Sequence, residues 1–163
     1  MLTQKQLKAL EEYIELHLNV PVLFEANYYS AKDSFELIDM EKFIEEKRKP
    51  TLQELLFRYI DERGEKDADV YKRAGIDRRL FSKIRSKTDY KPSKNTVISL
   101  SLALELTTDQ AEELLSTAGF SLSESDTFDL VIQYCLENSI YHIHDVNQAL
   151  TYFSLKPLGG VLI

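Results

Sequence analysis

The residue types in this chain that could do chemistry are few and scattered. His142-x-His144 is a close histidine pair, but a spacing of i, i+2 points the two rings to different faces of a helix. No cysteine or acidic cluster completes a metal site around them. His17 is an isolated helix residue, and the single cysteine, Cys135, falls on an apolar face, where a thiol is buried and inert. Carboxylates are abundant, yet none is marked out as catalytic, and no glycine-rich phosphate loop is present. These residues give no expectation of an enzyme, a metal or a cofactor. One constellation stands apart. IDRRLFSKIRSK sets Arg78, Arg79, Ser82, Lys83 and Arg85 on the polar side of a short helix, with Leu80, Phe81 and Ile84 on the other. Arginines at the N-terminal end of such a helix can bind guanine edges in a bidentate manner in the major groove of double-stranded DNA, with Ser82 and Lys83 one turn on. Lys66, Lys87, Lys91 and Lys94 are candidates for phosphate contacts that fix register. Tyr90, in the basic loop, is a candidate for stacking on a base. The other tyrosines fall mostly on apolar helical faces and are read as packing.

Charge is distributed to match. The net charge of −7 hides a strong asymmetry. Residues 1–57 carry 7 basic and 11 acidic groups, residues 58–94 carry 12 and 7, and residues 95–163 carry 1 and 9. Within 72–94 there are 9 basic and 2 acidic groups. Fields of exposed charges are screened over roughly 8–10 Å at ordinary salt, so a basic patch between acidic flanks can still hold phosphate. An acidic protein surface, including that of a second copy, suits the same arginines.

The elements that must position this patch are all helical in pattern. Thr3-x-x-Gln6 is a capping box, followed by Leu7, Leu10 and Ile14 on one face of a helix over 4–18 that Pro21 closes. Residues 19–33 lose the period and read as a connection, with Val20, Val22, Leu23 and Phe24 as an extended piece and Tyr28 and Tyr29 packed on the body. A helix over 34–47 has Phe35, Ile38, Phe43 and Ile44 as its apolar positions, and Lys47-Arg48-Lys49 ends it. Pro50-Thr51 marks a boundary. Thr51-x-x-Glu54 opens a helix with Leu52, Leu55, Leu56, Tyr59 and Ile60 at helical spacing, stopped by Gly64. A short helix over 67–73 turns at Ala74-Gly75 into the helix over 77–86, which Asp77 can cap. Ser93 or Asn95 caps the next helix, which buries Val97, Leu100, Leu104 and Leu106. Thr107-x-x-Gln110 opens another that ends at Gly119. Helices over 126–138 and 145–154 follow, the second capped by Asp145 and apolar at Val146, Ala149, Leu150 and Phe153. The apolar tail SLKPLGGVLI either docks in a groove or frays. No stretch has the length of a membrane span. The polar start MLTQKQLKALEEY is not a signal peptide in pattern, and one cysteine fits a reducing cytoplasm.

The middle of the chain resembles the lambda-repressor-like helix-turn-helix family, the Cro/repressor or XRE type. The residues that carry the likeness are Val70 at the first apolar motif position, Gly75 at the turn, Ile76 after it, and Phe81 and Ile84 on the recognition helix. Lys91-Pro92-Ser93 and Ala103-Leu104-Glu105-Leu106 look like the family's later signature. The resemblance implies five helices over about 51–119: Leu52–Arg63, Asp67–Arg73, Asp77–Ser86, Asn95–Leu106 and Asp109–Ala118. It implies a bacterial or phage transcriptional regulator that acts as a dimer on paired half-sites. Three positions depart from the pattern: Tyr71 where the family has a small residue, Arg85 where it often has an acidic one, and the acidic start Asp67-Ala68-Asp69. The stretch from Arg78 to Lys94 and the helices after it also look similar to C-terminal segments appended to unrelated bacterial domains, including macro domains. That second likeness implies an adapter that binds protein. The expected architecture is all-α: an N-terminal helical arm over 1–50, the five-helix core over 51–119, and a C-terminal helical hairpin with its tail over 120–163.

Overall fold

The computed structural model describes residues 1–18 and 25–159, with side chains described for 1–14 and 36–159. The chain is all-α. Among the described residues the order is α1 (Gln4–Leu18), α2 (Glu25–Lys47), α3 (Leu52–Glu62), α4 (Asp67–Arg73), α5 (Arg78–Ser86), α6 (Lys94–Ala103), α7 (Thr108–Thr117), α8 (Thr127–Glu137) and α9 (Ile143–Tyr152). Two compact units divide the chain, Met1–Arg48 and the remainder from Lys49. The second holds the five central helices together with α8 and α9.

In the first unit the Thr3/Gln6 box closes both ways: the Thr3 amide donates to Gln6 Oε1 at 2.9 Å and the Gln6 amide to Thr3 Oγ1 at 3.2 Å. Helix α2 begins at Glu25 rather than 34, so part of the expected connection is helical. EANYYSAKD lacks an apolar period, but it has no proline or glycine, and Glu, Ala and Lys favour helix without needing one. The extended piece expected at Val20, Val22, Leu23 and Phe24, the closure at Pro21 and the side chains of His17, Tyr28, Tyr29 and Phe35 lie outside what is described. Every described side chain of this unit is exposed. Leu7, Leu10 and Ile14 of α1 and Ile38, Phe43 and Ile44 of α2 therefore bury nothing deeply.

The second unit is built around α6. From Val97 to Ala103 every residue is buried, the small Ser99 and Ser101 included. The expected one-sided helix is enclosed on all sides, packed by α4, α7 and α9. Its N-cap is Ser93, which accepts from the Thr96 amide at 3.3 Å. It ends at Ala103, not 106. Glu105 then adopts φ +53, the Glu105 amide donates to the Leu102 carbonyl and the Leu106 amide to Ser101. This wrap closes the last turn of a helix. It recurs after α3, α4 and α7 at Gly64, Gly75 and Gly119, and after α8 and α9 at Ser139 and Ser154.

Around α6, the Thr107/Gln110 box caps α7 in both directions, and Asp126 caps α8. Helix α9 starts two residues earlier than expected, and His142 rather than Asp145 caps it. Phe153 follows α9 at its C-cap and is exposed. The tail docks as far as Leu158: its side chain is fully buried, and the Asn147 amide group clamps its backbone, accepting from the Leu158 N–H at 2.7 Å and donating to its carbonyl at 3.1 Å.

Helix α3 meets α7 through Tyr59, whose hydroxyl donates to Glu113 Oε2 at 3.1 Å. Arg63 sits 6.0 Å over the Tyr59 ring and donates to Gln110 Oε1 at 3.3 Å. Burial first, then the bond to the Glu113 carboxylate, pushes the Tyr59 phenol up to about 12 from 10.0. A raised value favours the neutral form, so its contribution is complete below the unfolded value and is lost as pH rises toward the folded one. Tyr59→Phe is expected to lower stability by about 1 kcal/mol at neutral pH. Its stability should also fall less steeply than the wild type's between pH 10 and about 12, as read by urea unfolding across a pH series. Glu105→Gly, which relieves a side chain at positive φ, is expected to raise the unfolding midpoint, a gain of about 0.5–1 kcal/mol.

Candidate nucleic-acid interface

The basic helix α5 is presented by α3 and α4. Val70 and Ala74 seat α4 in the core. Arg73 fastens its C-terminal end: Nε and Nη2 donate to the Ala103 carbonyl at 3.2 and 3.0 Å, and the same guanidinium pairs with Glu65 at 2.9 Å. The chain then reverses at Gly75, at φ +68, a conformation that costs a residue with a Cβ roughly 1–2 kcal/mol. The Ile76 amide closes the turn on the Tyr71 carbonyl at 2.9 Å, and the half-buried Ile76 side chain packs against the core. Asp77 caps α5, accepting from the Arg79 amide at 3.3 Å.

Helix α5 turns 100° per residue, which puts Leu80, Phe81 and Ile84 on one side and Arg78, Arg79, Ser82 and Lys83 opposite. Phe81 and Ile84 are buried and Leu80 half-buried. The Phe81 ring meets Phe57 edge-on at 5.8 Å and Tyr71 at 5.5 Å with a 46° tilt. Tyr71 thus stands half-buried beside α5, filling space against Phe81.

The ten expected contact residues separate into two groups. Arg78, Arg79, Ser82 and Lys83 share the exposed face of α5, and Lys66, Lys87 and Lys91 are exposed in the segments that flank α4 and α5. No ion pair among the described residues engages any of these cations. The other three are committed elsewhere. Arg85 stands at the edge of the α5 face, next to Phe81. Its guanidinium pairs with Asp67, lies 4.7 Å from the centroid of Phe57, and its carbonyl accepts from the Gln53 amide. It clasps α3, α4 and α5 together and takes up one acid of the α4 start. Lys94 Nζ lies 2.7 Å from Asp129 Oδ2, and that carboxylate is 3% exposed. The same oxygen accepts from the Ser123 amide at 2.8 Å. Lys94 therefore ties the start of α6 to α8 because a buried carboxylate needs a cation more than an open surface does. Tyr90 is half-buried against the core, so its ring is engaged in packing. Sequence reasoning missed Gln53, Phe57 and Asp129, and it met Asp67 only as a departure from the family pattern, not as the partner of Arg85. The acidic start of α4 and an aspartate inside the apolar period of α8 were their only signals.

A concave site lies elsewhere on the second unit. A groove of about 1070 Å³ runs between the ends of α4 and α6 and helix α9, lined by Lys72, Leu102, Tyr141, His144 and Tyr152 among others. No residue of α5 lines it. The two histidines at its rim are not helix partners: His142 precedes α9, its Nδ1 accepts from the His144 amide at 3.2 Å, and the rings stand 6.4 Å apart at 85°. Among the described residues no three of the types His, Cys, Asp and Glu converge on a metal-sized site. Cys135 is buried, and burial pushes its thiol up, away from the reactive thiolate. No helix among the described residues is long and apolar enough to cross a membrane. No family model, curated protein or solved structure matches the chain.

The division of cations is testable by stability alone. Lys94→Ala leaves the buried Asp129 carboxylate without its cation and is expected to cost about 3 kcal/mol. Arg85→Ala is expected to cost about 1 kcal/mol, since its ion pair is partly exposed and its stacking on Phe57 adds to it. Lys91→Ala and Arg79→Ala should leave the urea midpoint within error.

Proposed function

We propose that this chain is a helix-turn-helix DNA-binding protein of the lambda-repressor-like kind, in which α4 and α5 form the motif and α5 enters the major groove. The observation that carries the reading is the solvent face of α5. Arg78, Arg79 and Lys83 project there with no ion pair among the described residues, while Arg85 and the core residues beneath it fix the helix. Arg78 and Arg79 occupy the first turn, the end that reaches base edges in this docking mode. Ser82 and Lys83 follow one turn on. Lys66, Lys87 and Lys91 supply phosphate contacts on either side of the motif. A role in transcription regulation, in a bacterial or phage cytoplasm, follows from the family likeness of the residues between Leu52 and Ala118.

A second reading rests on a specific observation. The first turn of α4 carries Asp67 and Asp69, and among the described residues an ion pair engages Asp67 but not Asp69. Asp69 would face the phosphate backbone where the motif's first helix crosses it. An adapter that presents the α5 arginines to an acidic protein surface avoids that repulsion.

Duplex binding separates the two. Fluorescence anisotropy with a mixed-sequence duplex at low salt should give saturable binding that weakens with salt. Three lysine–phosphate contacts predict a slope of log K against log salt of about −3 per bound copy. Arg78→Ala with Arg79→Ala should abolish sequence preference and cost at least about 2 kcal/mol of affinity for a preferred site. Absence of binding to both duplex and single strand at low salt, with a folded protein, rejects the DNA reading in favour of the adapter.

A further inference from the structure

We infer that the groove beside α9 binds a small zwitterion, an amino-acid head group that carries an aromatic side chain. Its volume of about 1070 Å³ stands at the upper end of the roughly 300–1,000 Å³ that small-ligand sites occupy.

Charge selects the head group. Lys72, in the last turn of α4, and Glu105, just past the end of α6, both line the groove and are both exposed. The Arg73 fork on the Ala103 carbonyl joins these two chain ends, so Lys72 and Glu105 flank a single contact. Arg73 is paired with Glu65, but no ion pair among the described residues engages Lys72 or Glu105. An anion at this end of the groove meets Glu105, and a cation meets Lys72, so either one alone loses to repulsion part of what it gains by attraction. A ligand with both an ammonium and a carboxylate satisfies both side chains.

Helix α9 selects the rest. At 100° per residue, His144, Gln148 and Thr151 share one face, and Ile143, Val146 and Leu150 turn to the core. The three polar side chains line the groove and hydrogen-bond to no described residue. Asn147 beside them is already spent on Leu158. They form a polar edge about 10 Å long. Tyr141 and Tyr152 line the groove near the two ends of this edge, and the buried Leu102 and Ile143 add apolar lining. An aromatic side chain packs on such rings edge-on or offset, and its own polar edge meets the Gln148 amide or the Thr151 hydroxyl. The inference does not rest on DNA binding, because no residue of α5 lines the groove.

Titration of L-tryptophan with the full chain is the test. The chain has no tryptophan, so indole fluorescence anisotropy reports the ligand alone. Binding is expected to saturate. Tryptamine, which lacks the carboxylate, and indole-3-propionate, which lacks the ammonium, should each bind at least about fivefold more weakly. Lys72→Gln should weaken L-tryptophan and strengthen tryptamine. Glu105→Gln should weaken L-tryptophan and strengthen indole-3-propionate. Both are exposed positions, and circular dichroism checks the fold. The dipeptide glycyl-L-tryptophan identifies the source: tighter binding than L-tryptophan assigns the groove to a short peptide, and weaker binding to a free amino acid. Failure of both L-tryptophan and the dipeptide to saturate overturns the proposal. Equal binding of the three indoles overturns it by leaving only apolar adsorption, and so does a preference among them that neither substitution alters.

Discussion

The second unit depends on the enclosure of α6. A helix whose seven consecutive residues from Val97 to Ala103 are all buried must be covered on every side. Helices α4, α7 and α9 supply that cover. The two serines in its middle keep the helix thin enough for close approach, and Ser101 returns its hydroxyl to the Val97 carbonyl at 2.8 Å, so burial leaves it satisfied. The same enclosure fixes where α4 must lie, because the Arg73 fork takes the last carbonyl of α6. Once α4 is placed, the turn at Gly75 and the cap at Asp77 place α5. The basic face is thus set at the end of a chain of constraints that begins in the core.

Its cations then divide by what lies within reach. A guanidinium beside a phenyl ring and a carboxylate is better used against them than in water, so Arg85 clasps α3, α4 and α5 together. An ammonium beside a buried carboxylate has no alternative of comparable worth, so Lys94 joins α6 to α8. Arg78, Arg79 and Lys83 are exposed, and no ion pair among the described residues engages them. Paired and exposed charges are interleaved along one short basic stretch, and the pairings follow from neighbours distant in sequence. Gln53 bonds the Arg85 carbonyl across 32 positions, and Asp129 meets Lys94 across 35.

The first unit poses the opposite situation. Its helices have caps and an apolar period but no buried side chain among those described. The period in Leu7, Leu10 and Ile14 tells that a face is apolar without telling what covers it. The second unit meets the same requirement internally, since α8 and α9 add Ile132, Cys135, Val146 and Leu150 to the core that α3, α6 and α7 begin.

The sequence by itself determined the local features. The caps at Thr3, Thr51, Asp77 and Thr107 rest on residues three or fewer apart, and glycine at positive φ is a single-residue requirement. The all-α class, the turn at Gly75 and the buried side of α5 were legible for the same reason. Tertiary structure alone decided the rest. The full burial of α6 depends on helices that arrive from both sides, and a pattern with Ser99 and Ser101 in it reads as one-sided. The positive φ at Glu105, Ser139 and Ser154 is set by packing strong enough to override residue preference. The commitments of Arg85, Tyr90 and Lys94 follow from contacts that no spacing along the chain encodes. Charge in a sequence states only that a group must be solvated or paired, and folding chooses which.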